Sequence, residues 1–129
     1  MRRMFRLPEA DEAFLDSLKI SWETVREGET RWLLLHDYPV ALGYSHDKVT
    51  VAIRIDGGYP PGKLDMAWFF PALSRKDGVA IANLSGEQID GRAFQRWSRH
   101  YPWREGDDDL STHIRRMDAW LQDEFRRKR

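Results

Sequence analysis

The residues best suited to chemistry gather between positions 91 and 100. Read as a helix over residues 92–100, this stretch puts Arg92, Arg96 and His100 on one face at spacings of four, with Arg99 beside them. Phe94 and Trp97, three apart, then point toward a core. Such a face suits an acidic partner or a carboxylate, because guanidinium groups bind carboxylates through charge-assisted bonds. His100 would add a group able to take or give a proton. A solvated basic face over two core aromatics fits the same residues, and the spacing alone does not choose between the two.

The remaining candidates are weaker. His36, His46, His100 and His113 share no ligand spacing such as His-x-x-x-His, so no metal site is expected from them. Asp107-Asp108-Asp109 could attract a cation, but three acids before a helix read first as capping and dipole chemistry. Gly57-Gly58 lacks the strand–loop–helix context of a phosphate loop. Leu84-Ser85-Gly86 has neither glycine at the spacing of a Gly-x-Ser-x-Gly nucleophile elbow. Cysteine is absent, which removes disulfides, thiolate catalysis and cysteine-based zinc sites together. No cofactor is expected.

These residues need elements to hold them. Residues 7–12 open a short helix, with proline early and acids in the first turn. Phe14, Leu15 and Leu18 give that helix its apolar stripe. Residues 20–25 read as a strand and residues 27–29 as a turn. A central strand begins near Thr30 and is apolar on both faces through His36. After an interruption at residues 39–43, Val49, Val51, Ile53 and Ile55 alternate as a third strand. Residues 56–62 are a loop rich in glycine and proline. Residues 66–70 form a fourth strand, stopped by Pro71. One helix followed by four successive strands predicts an antiparallel meander. From residue 72 to residue 90 the signals are weak, with turns at Asp77-Gly78 and Asp90-Gly91 and a short extended piece over residues 79–84. A last helix follows, with Leu110, Ile114, Met117 and Leu121 on one face, widened by Trp120 and Phe125. The tail Arg126-Arg127-Lys128-Arg129 would sit favourably at its negative end.

With 129 residues, the chain suits one domain able to bury roughly two-thirds of its unfolded surface. Hydrophobic residues at 41% and charged residues at 33% argue for a folded protein rather than disorder. Six Trp supply large apolar area, so several should pin the core. No apolar run approaches the length of a membrane span, and the basic start lacks the apolar stretch of a signal peptide. Lys+Arg and Asp+Glu balance at 21 each, so bulk attraction to nucleic acid or acidic membrane is not implied. A reducing, cytoplasmic setting fits the missing cysteine.

The order of helix, four-strand meander, Tyr-Pro loop, irregular segment and C-terminal helices resembles the α+β fold of ubiquitin-conjugating enzymes. The chain is more specifically similar to the bacterial branch called prokaryotic ubiquitin-conjugating-like family E. The matching text is Leu42-Gly43-Tyr44, Ile55 through Tyr59-Pro60, Asp65-Met66, Phe70-Pro71-Ala72-Leu73, Gly91-Arg92, Gln95-Arg96-Trp97-Ser98-Arg99-His100, Trp103-Arg104, Asp108, Leu110 and His113. It covers nearly the whole chain. The Tyr59-Pro60 pair is a weak signal, and the run from Gln95 to His100 a far more specific one. The resemblance implies three partners: a ubiquitin-like modifier, an adenylating activating enzyme, and a metallopeptidase that removes the modifier. It also implies genes grouped in bacterial operons, some linked to phage defence.

One departure bears on chemistry. Conjugating enzymes carry the modifier as a thioester on a cysteine in the irregular segment after the meander. That segment maps to residues 74–100 and holds no thiol. The usual His-Pro-Asn is missing too, with Phe70-Pro71-Ala72 the nearest text and Asn83 an isolated amide. The expectation is therefore a protein that binds or positions the modifier or its activating enzyme. Its contact residues would be Arg92, Arg96, Trp97, Arg99 and His100, with Tyr59 and Pro60. An enzymatic alternative makes His100 the base or acyl acceptor, with Arg96 or Arg99 steadying an oxyanion. A third reading, an unrelated adaptor using the C-terminal cations on nucleic acid, ranks last because net charge is zero.

Overall fold

Period-two alternation produces the meander in the computed structural model, which describes residues 1–126. Helix α1 (Glu9–Ser17) comes first, with Glu9, Asp11 and Glu12 in its first turn. Strands β1 (Trp22–Glu27), β2 (Thr30–Pro39), β3 (Lys48–Arg54) and β4 (Ala67–Phe70) then pair antiparallel in sequence. β2 runs through Pro39, three residues beyond His36, by way of a register shift between Leu35 and Tyr38.

The sheet has six strands, not four. Strands β5 (Leu84–Ile89) and β6 (Arg92–Trp97) form a hairpin beside β4, giving the order β1-β2-β3-β4-β6-β5. The helix expected over residues 92–100 is absent. Asp90 (φ 52°) and Gly91 (φ 75°) explain this, because two consecutive positive-φ residues make the tight turn that matches strand twist. Phe94 and Trp97, three apart, lie on opposite faces of β6, since both faces of this sheet bury apolar side chains.

The C-terminal part is one helix, α2 (Leu110–Asp123), with a 3-10 turn at Glu124–Arg126. The acids before it do cap: the Asp109 carboxylate accepts the Thr112 N–H at 3.1 Å, and the Thr112 hydroxyl accepts the Asp109 N–H at 3.3 Å. Leu110, Ile114, Met117 and Leu121 are buried on one face. Arg126 meets Asp123 at 3.3 Å. The rest of the expected cationic tail, Arg127, Lys128 and Arg129, lies outside the described residues.

Two apolar clusters result. The larger joins the sheet to α1 and α2 and includes Leu15, Leu33, Leu35, Val51, Ile53, Phe69, Trp97 and the α2 stripe. The smaller lies on the other face, where Val25, Trp32, Leu34, Ala52, Trp68, Ile89 and Phe94 are buried without a helix over them. Trp32 and Trp68 meet edge to face at 4.9 Å, a geometry that adds about 1 kcal/mol to the burial itself. The hairpin closes this face. Its tip reaches β1, at the opposite edge of the sheet: Asp90 N–H donates to Glu27 Oε2 at 2.9 Å. Arg2 joins Glu23 (2.9 Å) to Asp90 (2.7 Å) across the same seam. Accumulated strand twist curls the sheet enough for its two edges to meet at this end.

Candidate functional site

The strand at residues 92–97 divides the predicted cationic face. Arg92 and Arg96 lie on the outer face of the sheet with Phe94 between them. The Arg92 guanidinium sits 5.2 Å from the Phe70 ring and 5.5 Å from the Phe94 ring. Arg96 Nε donates to the Ser85 hydroxyl at 2.9 Å. Trp97 points the other way and is fully buried. Past the strand, Arg99 donates to the Ala82 carbonyl at 3.0 Å and meets Glu124 at 3.4 Å. Trp97 and Tyr59 are both buried in the larger apolar cluster.

Tyr59 shows what its position is for. Its hydroxyl donates to Asp11 Oδ2 at 2.6 Å and accepts the Leu110 N–H at 2.8 Å, tying the loop to the starts of both helices. Burial raises the carboxyl pKa of Asp11, against the lowering effect of this bond. Pro60 beside it is exposed. Trp103 Nε1–H donates to the Pro61 carbonyl at 3.1 Å, closing residues 59–61 against residues 101–103.

His100 stands at the mouth of this cluster. Its side chain is 64% exposed, and its Nδ1 lies 2.8 Å from Oδ2 of Asp65, which is 14% exposed. An aspartate against Nδ1 fixes the ring and leaves Nε2 toward solvent, an arrangement suited to proton transfer with a visiting group. Lys63 lies 3.9 Å from the same carboxylate. Asp65 and His100 are 35 residues apart, and no spacing rule pairs them.

Behind this pair lies a second histidine with a different role. His113 is fully buried. Its Nε2–H donates to the Met66 carbonyl at 2.9 Å, and its Nδ1 accepts the Tyr101 hydroxyl at 2.8 Å. Burial pushes its pKa down to about 4, so it is neutral at pH 7. Burial likewise raises the Tyr101 phenol. Arg116 stacks 4.0 Å over the Tyr101 ring and meets Asp108 at 3.7 Å. Alongside runs a cleft of about 430 Å³ lined by Arg104, Asp107, Asp108, Thr112, Arg115, Arg116 and Ala119.

The irregular segment after β4 is held from beneath. Arg75 is buried, donating to the Glu124 carbonyl at 2.7 Å and to Asp77 at 2.6 and 3.0 Å. Above it lies an apolar groove of about 340 Å³ lined by Leu73, Val79, Ala80, Ile81 and Leu84, among others. Among the described residues, no three His, Asp or Glu side chains are placed to hold a metal ion, and no helix is long and apolar enough to cross a membrane.

The family model described as Prokaryotic E2 family E matches residues 7–124. No curated protein matches the chain. No solved structure matches it either.

Proposed function

The chain belongs to the prokaryotic E2 family E, a conjugating-enzyme-like family, and we propose that it acts by docking rather than by carrying a thioester. A single observation carries this reading: the family match spans residues 7–124, and the 129 residues include no cysteine. Without a thiol these 129 residues offer no side chain that can hold the modifier as a thioester. The protein binds the ubiquitin-like modifier or its activating enzyme and sets their relative position. The contact surface is the end of the molecule bearing His100, Asp65, Pro60 and Trp103, with Arg104 and Arg115 in the neighbouring cleft. Exposed cations there favour an acidic patch or a terminal carboxylate. Binding assays against a ubiquitin-like modifier and an adenylating activating enzyme test this. Binding to either at micromolar concentration, weakened by Arg104→Glu with Arg115→Glu, is the expected result. Absence of binding to both defeats the reading.

The Asp65–His100 contact favours a second reading, in which His100 is the base that takes a proton from a nucleophile on the docked partner. His100→Ala would then slow modifier transfer in the reconstituted system even when the partner is supplied at saturating concentration. Transfer at the unaltered rate removes His100 from the chemistry.

A further inference from the structure

The two edges of the sheet are finished differently. Along β1, the Thr24 N–H donates to the Arg2 carbonyl at 3.1 Å and the Thr24 carbonyl accepts the Met4 N–H at 2.9 Å, so residues 2–4 cover that edge. Along β5, Leu84, Ser85, Gly86 and Gln88 are exposed. The strand has no proline, lysine or bulge, the devices that ordinarily guard an open edge. A two-residue turn makes Ile89 and Arg92 a hydrogen-bonded pair, and alternation extends this to Glu87 with Phe94 and Ser85 with Arg96. The Ser98 N–H, donating to the Asn83 carbonyl at 3.1 Å, continues the same phase. The backbone groups of Leu84, Gly86 and Gln88 therefore point away from β6, where another strand could bond them.

Each face of the sheet adds something at this rim. Leu84 lies opposite Trp97, on the face of the larger cluster, and there it lines the apolar groove of about 340 Å³ with Leu73, Val79 and Ile81. Gly86, next along that face, presents no side chain. On the other face Arg96 reaches toward the rim from β6, its Nε donating to the Ser85 hydroxyl at 2.9 Å, and it meets no carboxylate among the described residues. The acid of the strand is turned the opposite way: Glu87 Oε1 accepts the Trp68 Nε1–H of β4 at 2.9 Å. The rim is therefore apolar on one face and cationic on the other.

We propose that β5 receives an extended segment of another protein in which acidic and apolar residues alternate. Main-chain bonds to Leu84, Gly86 and Gln88 hold it, as in strand addition to other open sheet edges. Residues opposite one another across two strands share a face, so the segment's residue opposite Ser85 comes out beside Arg96. That residue is the acid. Its two neighbours lie opposite Leu84 and Gly86, on the groove side, and are apolar. A second copy of this chain does not supply such a segment through β5, because its own Glu87 is held inward on Trp68. The strand site uses none of the residues of the His100 end and does not depend on the docking reading.

NMR titration of the labelled chain, with amide hydrogen exchange, tests the proposal. The probe is an eight-residue peptide alternating valine and glutamate, blocked at both ends. In the free chain the amides of Gly86 and Gln88 should exchange faster than those of Ser85 and Glu87, which bond to β6. The peptide should slow them and shift the resonances of residues 84–88, with a dissociation constant below about 1 mM. Replacing its glutamates by lysine should weaken binding about fivefold. Arg96→Gln, which keeps a donor for Ser85, should abolish that preference, and Arg96→Glu should invert it. Gly86→Pro removes an edge donor without touching the bonds to β6 and should weaken binding about tenfold. Circular dichroism establishes that each variant is folded. No binding of the glutamate peptide at about 1 mM, or equal binding of the glutamate and lysine peptides, overturns the proposal. Edge protection that grows with protein concentration in the absence of peptide assigns the edge to a second copy and overturns it as well.

Discussion

Acidification from pH 7 to pH 4 should cost about 3 kcal/mol through His113 alone. The imidazole is buried, with one nitrogen donating to the Met66 carbonyl and the other accepting the Tyr101 hydroxyl. An added proton would sit on Nδ1, where it would confront the hydroxyl in place of accepting from it, in a site with little solvent to screen the charge. The folded-state pKa falls to about 4, against about 6.5 in the unfolded chain. A depressed folded pKa means that the unfolded chain binds the extra proton first. The contribution is therefore complete above pH 6.5 and is lost as the pH falls toward 4. Two and a half pH units at about 1.4 kcal/mol each give roughly 3 kcal/mol, a large part of a typical stability. Urea unfolding followed by tryptophan fluorescence at a series of pH values measures it. Other groups titrate in the same range, so the comparison is with His113→Gln, which keeps a donor toward Met66 and cannot be protonated. The variant should be less stable at pH 7, and the gap should close as the pH falls to 4. Curves that run parallel between pH 6.5 and 4 would refute the assignment of a buried neutral imidazole.

Other outcomes follow from single contacts. Gly43 has φ +106°, and a Cβ there would lie 2.8 and 2.9 Å from the Phe125 ring; Gly43→Ala should lose about 2 kcal/mol in denaturant unfolding. Tyr59→Phe strands the Leu110 N–H and the Asp11 carboxyl at once and should lose about 2 kcal/mol, measured the same way. Asp109→Ala dismantles the cap that Asp109 and Thr112 build together and should lower stability by about 1 kcal/mol, with circular dichroism reporting the helix.

The first half of the chain could be read from its letters because one face of each strand is plainly apolar. Val49, Val51, Ile53 and Ile55 alternate as a strand facing the larger cluster must, and all four are buried. Leu110, Ile114, Met117 and Leu121 mark α2 equally well, and Asp109 its start. The hairpin of β5 and β6 was hidden by a coincidence of spacing. Phe94 and Trp97 are three apart, as on a helix, and only a sheet buried on both faces lets them part. Leu84-Ser85-Gly86-Glu87-Gln88 offers almost no apolar signal because that strand is exposed. The candidate site was half legible. His100 stood out by its company, but that company proved to be on another surface, and its true neighbour, Asp65, arrives through a chain reversal that local patterns do not encode.

The strip of chain laid along β1 has a consequence for assembly. With one rim sealed by residues 2–4, the sheet leaves a single rim, β5, open to another strand, so any strand-to-strand adhesion stops at the first partner. Cutting residues 2–4 away would leave each molecule with two open rims. Growth would then be open-ended, and a shortened chain should polymerise into ribbons that light scattering would reveal.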